Sequence, residues 1–177
     1  MEAAEASQQF AEQARGLAEG GADLVLVETM ADLGEAVAAV EGARTGAPGL
    51  EVAVTMTFDT KGRTMMGVTP ARAVTELAAA GVRLVGANCG NGPDEARVAM
   101  TEMAEARPDG VLLIIQSNAG LPKLVGADFR YDGTPEVMAA FAAEMAALGI
   151  DWIGACCGST PAHITAMGDA IAAVSAS

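Results

Sequence analysis

Three cysteines are the residues of this chain best suited to chemistry: Cys89 and the adjacent pair Cys156-Cys157. Thiolates are nucleophiles and good ligands for borderline-soft metal ions. Cys89 and the Cys156-Cys157 pair each close a short apolar run and are followed by glycine, in Asn88-Cys89-Gly90 and in Gly154-Ala155-Cys156-Cys157-Gly158. Successive side chains of a strand point to opposite faces, so two adjacent cysteines share a metal only where the chain turns. Gly154 and Gly158 supply the freedom for such a turn. Three thiolates on zinc leave a fourth position open, as catalytic zinc sites do, and a substrate thiol could fill it. Buried cysteines are also ordinary small hydrophobes. No CxxC pair is present, and spacing alone does not choose between the two readings.

Other polar residues interrupt apolar surroundings at the same place in successive units, just after a candidate strand. They are Glu28-Thr29, Thr57 with Asp59, Asn88 and Asn118. Glu28 could also cap the next helix, where a carboxylate favours the positive end of the dipole. Asn88 and Asn118 could be turn residues that satisfy their own backbone. His163, the only histidine, falls in the first turn of the last helix and reads as a helix-start residue. Lys123 and Arg63 read as solvated charges, with Arg63 in a glycine-flanked loop on the same side as the cysteines.

The elements that position these residues alternate strictly. Strands are expected at Asp23–Glu28, Val52–Thr57, Arg83–Asn88, Val111–Gln116 and Asp151–Ala155, all nearly continuous apolar runs that suit a parallel sheet. Helices are expected at Ala3–Glu19, Leu33–Arg44, Pro70–Ala80, Asp94–Ala106, Pro135–Leu148 and Pro161–Val174. Thr69, Thr134 and Thr160 each place a capping hydroxyl before a proline at the first helical position. Gly81 and Gly149 stand where a left-handed residue would end a helix. The alternation implies an α/β fold, either an open doubly wound sheet or part of a (β/α)8 barrel. Its ligand face lies at the carboxyl ends of the strands. A whole barrel takes about 250 residues, and this sequence has 177.

Composition removes several classes of function. A formal net charge of −13 lacks the basic footprint that nucleic acid or an anionic membrane requires. No apolar run reaches the roughly 20 residues of a membrane span. The acidic start Met1-Glu2-Ala3-Ala4-Glu5 is unlike a signal peptide, so a cytoplasmic protein with reduced thiols is expected. With 51% hydrophobic residues but only 3% aromatics, the core must be built from small aliphatics and methionine.

Two segments give the chain a family likeness. Gly86-Ala87-Asn88-Cys89-Gly90 and the run from Gly154 to Ile164, GACCGSTPAHI, resemble the two zinc signatures of the homocysteine-binding domain. That domain occurs in betaine-, S-methylmethionine- and cobalamin-dependent homocysteine methyltransferases. The segment Asp23–Met30 (DLVLVETM) resembles the fourth strand of its barrel, and Asn118–Pro122 (NAGLP) its seventh strand-end loop. The likeness runs in order over nearly the whole chain.

The resemblance implies a zinc-dependent transfer of a methyl group to the thiol of homocysteine, giving methionine. Cys89, Cys156 and Cys157 would be the metal ligands and Glu28 would hold the substrate's amino group. Asn88 and Asn118 would shape the pocket. The loop Thr57–Thr64 resembles the cobalamin-dependent branch, which implies methylcobalamin on a corrinoid partner as donor. The family's opening glycine-rich, aspartate-containing strand end has no counterpart, and Ala155 stands where a second glycine is frequent. The implied fold is an incomplete (β/α)8 TIM barrel, five βα units matching strands four to eight, with residues 1–177 as one partial domain. Such a piece would be a truncated product, a chain completed by a second subunit, or a self-associating remnant. A related zinc methyltransferase serving a corrinoid or folate carrier, and an inactive remnant, are the alternatives.

Overall fold

The computed structural model describes residues 2–175; Met1, which opens the acidic N-terminal stretch, lies outside them. Six helices alternate with strands: α1 Ala3–Glu19, β1 Leu24–Met30, α2 Leu33–Gly46, β2 Glu51–Met56, α3 Pro70–Ala79, β3 Leu84–Cys89 and α4 Pro93–Ala106. There follow β4 Leu112–Ser117, β5 Lys123–Val125, β6 Asp128–Arg130, α5 Pro135–Ala147, β7 Trp152–Ala155 and α6 Pro161–Ser175. The expected elements are present within one to two residues at each boundary. The short antiparallel hairpin β5–β6 is the exception, and it had no counterpart in the sequence reading. Its two three-residue strands are fully exposed, so no buried face imposes a period.

Local chemistry accounts for the helix starts. The Thr69 hydroxyl accepts from the Arg72 N–H at 3.2 Å, and that of Thr134 accepts from the Val137 N–H at 3.4 Å. The cap of α2 is Asp32, which accepts from the Glu35 N–H at 2.8 Å, so Glu28 is not a capping residue. Gly81 and Gly149 end their helices at φ of +80° and +81°.

The main sheet is wholly parallel in the order β1-β2-β3-β4-β7, each strand beside its predecessor in the chain. There is no reversal of strand order, the mark of a doubly wound sheet. The two faces differ in the same sense. Val25, Val27, Val52, Val54, Val85, Leu113 and Ile115 join the helices in the principal core. The alternate residues Ala53, Leu84 and Ile114, with Leu24 and Leu26 against them, form a separate cluster made of strand residues alone. All helices among the described residues that enter the core therefore enter it from one face.

Scarce aromatics are offset by close approach. A Cβ on Gly46 or Gly42 of α2 would collide with the α1 backbone at Ala11 or Ser7. The methionines Met56, Met100, Met103, Met138 and Met145 fill the remaining core as fully buried side chains. Among the described residues no helix is long and apolar enough to cross a membrane.

Candidate metal and thiol site

The carboxyl ends of the parallel strands bring the three cysteines together from positions 67 and 68 residues apart. Cys89 is the last residue of β3, and Cys156-Cys157 follows directly on β7. The Cys89 and Cys156 sulfurs are 3.1 Å apart, those of Cys156 and Cys157 3.8 Å, and all three lie within 4.8 Å of one another. Tetrahedral coordination with Zn–S near 2.3 Å puts sulfurs about 3.8 Å apart, comparable to the separations here, so the donor set could hold one ion. All three are free thiols, half-buried at Cys89 and Cys156 and exposed at Cys157.

The turns that gather them are unusual. Cys89 has a left-handed φ of +57°, continued by Gly90 at +72°. After the cysteine pair, Gly158 turns at +81°, and a Cβ there would collide with the Tyr131 ring. Gly154 takes no such conformation; it lies within β7, and the turn expected of it falls to Gly158 alone.

Two asparagines hold the cysteine turns. Asn118 donates from Nδ2 to the Gly90 carbonyl at 2.8 Å, and its Oδ1 accepts from the Cys157 N–H at 3.0 Å. One buried amide thus ties the turn after β3 to the turn after β7. Asn88 accepts at Oδ1 from the Thr29 N–H at 3.0 Å and donates from Nδ2 to Thr29 Oγ1 at 2.6 Å and to Cys89 Sγ at 3.4 Å. The Thr57 hydroxyl donates to the Asn88 carbonyl at 2.6 Å. Thr29 and Thr57 entered the sequence reading only as polar strand-end residues. Their tie to Asn88 spans 59 and 31 residues and leaves no local signature. Glu28 lies beside this network, exposed on β1, one residue before Thr29.

His163 is excluded as a ligand by its own bonds. Nε2–H donates to the Gly133 carbonyl at 2.8 Å, which fixes the tautomer, and Nδ1 accepts from the Thr160 N–H at 3.1 Å. Both ring nitrogens are used in joining the start of α6 to the loop before α5. Lys123 pairs with Asp132 at 2.5 Å on the surface, and Arg63 donates to the Gly67 carbonyl at 3.4 Å within its own loop.

While no cation is near, the surroundings favour the protonated form of the Cys89 and Cys157 thiols. Burial, then the hydrogen bond and charge of Cys156, push the Cys89 thiol up to about 12, with the Thr29 hydroxyl pulling the other way. Burial and Cys156 likewise raise Cys157. A cation that displaces these protons removes the mutual repulsion of three sulfurs held close together.

A one-sided parallel sheet with three convergent cysteines at its carboxyl edge defines the class: an α/β protein whose thiols are grouped closely enough that they could hold a metal ion. The chain belongs to the homocysteine S-methyltransferase family, whose model matches residues 1–171. It is 34% identical over 168 residues to the methionine synthase of Mycobacterium tuberculosis, and 35% identical over 169 to that of Mycobacterium leprae. In each case 92% of this chain is covered, and it spans only 14% of the relative's length. Its fold is similar to that of the homocysteine methyltransferase MmuM from Escherichia coli. The TM-score is 0.73 at 24% identity in the apo form, covering 94% of this chain and 57% of that one. For the oxidised form the TM-score is 0.69 at 23% identity.

Proposed function

We propose that this chain supplies the thiol-activating part of a homocysteine methyltransferase, with zinc held by Cys89, Cys156 and Cys157. The convergence of these three sulfurs within 4.8 Å carries the reading. A zinc ion bound there would supply Lewis acidity, which lowers the pKa of a thiol and favours its thiolate. Glu28 offers a free carboxylate for the amino group of the substrate and so sets its orientation. Asn88 and Asn118 keep the ligand-bearing turns in place and shape the pocket floor. The substrate thiol, having released its proton, would bond through sulfur to the donor's methyl carbon as the donor–methyl bond breaks in line and the donor keeps that electron pair, giving methionine. A methyl-corrinoid protein is the donor we favour, on the likeness of Thr57–Thr64 to the cobalamin-dependent branch, in the reducing cytoplasm that keeps the thiols free.

The sheet is read as strands four to eight of a (β/α)8 barrel. Sequential parallel order and helices on one face are what a segment of such a barrel has. The opposite face supports the same view. A groove of about 480 Å3 runs along it, lined by Leu24, Leu26, Ile114, Gln116 and the half-exposed Trp152. Gln116 Oε1, within that lining, and Thr55 Oγ1 on β2 are buried without a hydrogen-bond partner. Such orphaned atoms call for further partners, and three more βα units, on this or another polypeptide, would provide them. The same groove favours the second reading, a piece inactive until its barrel is completed.

Elemental analysis of the purified chain tests the core of the proposal. About one zinc per chain, absent from Cys89→Ser, is the expected result; a folded parent chain that retains no zinc would sink it. Assays with homocysteine and several methyl donors, with and without the complementary units, then separate the active form from the inactive piece and homocysteine from other acceptors.

A further inference from the structure

Thr29 has no evident reason to be a threonine. It stands in the left-handed region at φ +62°, where a β-branched residue is an outlier, and it is exposed, so no core packing requires its side chain. Glycine or asparagine would meet the backbone's demand at lower cost. The register shows how the strain arises. Val27 pairs with Val54 and Met30 with Met56, so Glu28 and Thr29 together stand against Thr55 alone in a bulge. From this bulge Thr29 reaches across β2 to β3, where it closes two hydrogen bonds with the Asn88 amide. Asn88 divides its Nδ2 protons between Thr29 Oγ1 and Cys89 Sγ.

We propose that Thr29 is a positioning residue for the Cys89 sulfur, its hydroxyl fixing the Asn88 amide that faces that ligand. The inference rests on the three-cysteine metal reading above and extends it beyond the ligands. Partners of this kind orient a metal ligand and tune its basicity without touching the ion.

The experiment compares the chain with Thr29→Val, which keeps the shape and loses the hydroxyl, and Thr29→Ser, which keeps the hydroxyl. Thr29→Gly removes both the hydroxyl and the strain, and serves if the valine variant does not fold. Zinc affinity is read by competition with a chromophoric chelator, and the ligand field by the sulfur-to-metal charge-transfer band after cobalt(II) loading. Valine and glycine are expected to weaken zinc binding about 10-fold or more and to move the band, with serine close to the parent. Parent-like affinity and band in the valine or glycine variant would overturn the assignment, as would a serine variant as weak as valine. A parent chain that binds neither metal overturns the three-cysteine reading itself, a different failure.

Discussion

The two faces of the parallel sheet have nearly the same residue types and opposite fates. On the helix side Val54, Val85, Leu113 and Ile115 are sealed beneath α2, α3, α4 and α5 with Met100, Met103 and Phe141. On the other side Leu24, Leu26, Ala53, Leu84 and Ile114 form a separate cluster with no helix over it among the described residues. Apolar sequence alone therefore does not make a finished core; it needs a covering layer, and among the described residues one is present for a single face. The site sits at the end of the sheet where the two faces meet. Buried amides there hold strained turns, with Thr29 and Cys89 both at positive φ.

The sharpest way to break this contrast is truncation on each face. Phe141→Ala, on the sealed side, is expected to cost about 3–5 kcal/mol in chemical denaturation. Leu24→Ala, in the groove, should cost far less, about 1 kcal/mol, since its side chain is only partly covered. Equal losses would mean that the groove face is already closed in solution.

A smaller effect is expected at the boundary. Asn118→Ala strands the Cys157 N–H and the Gly90 carbonyl, a loss of about 1–3 kcal/mol. Zinc binding should weaken with it, because the two ligand turns are no longer tied. A variant as stable as the parent with unchanged zinc affinity would show that the turns hold themselves.

The mildest effect is spread over pH. The folded metal-free chain keeps the Cys89 proton up to about 12, against an ordinary 9.0. The folded state thus binds more protons than the unfolded chain across that interval, and stability falls as pH rises through it. Urea midpoints of the metal-free chain should be level below pH 9 and decline above it, with a flatter profile in Cys89→Ser. Zinc reverses the sign for binding, which strengthens with pH because the ligands must lose their protons. A metal-free midpoint that rises with pH would contradict the burial of Cys89.

Much of the fold was legible in the residues. Thr-Pro pairs at 69–70 and 134–135 cap and start helices through bonds three residues long, and Gly81 and Gly149 stop them through backbone freedom alone. Continuous apolar runs mark strands that carry residues on two faces. The cysteines and their glycines were equally plain, since a motif with its turn residue is local. The hairpin β5–β6 leaves no signal in the sequence because its exposed Leu124, Val125 and Phe129 follow no buried period.

What the sequence determined by itself was thus the order of elements, their ends and the identity of the three sulfurs, all set by interactions within a few residues. Tertiary structure alone decided the sequential strand order over a doubly wound one, and the one-sided helix layer. It also decided the Thr29–Asn88–Cys89 link across β2 and the engagement of both His163 nitrogens. Those depend on which distant strand ends meet, and a contact spanning 59 residues leaves no periodicity by which either partner announces the other.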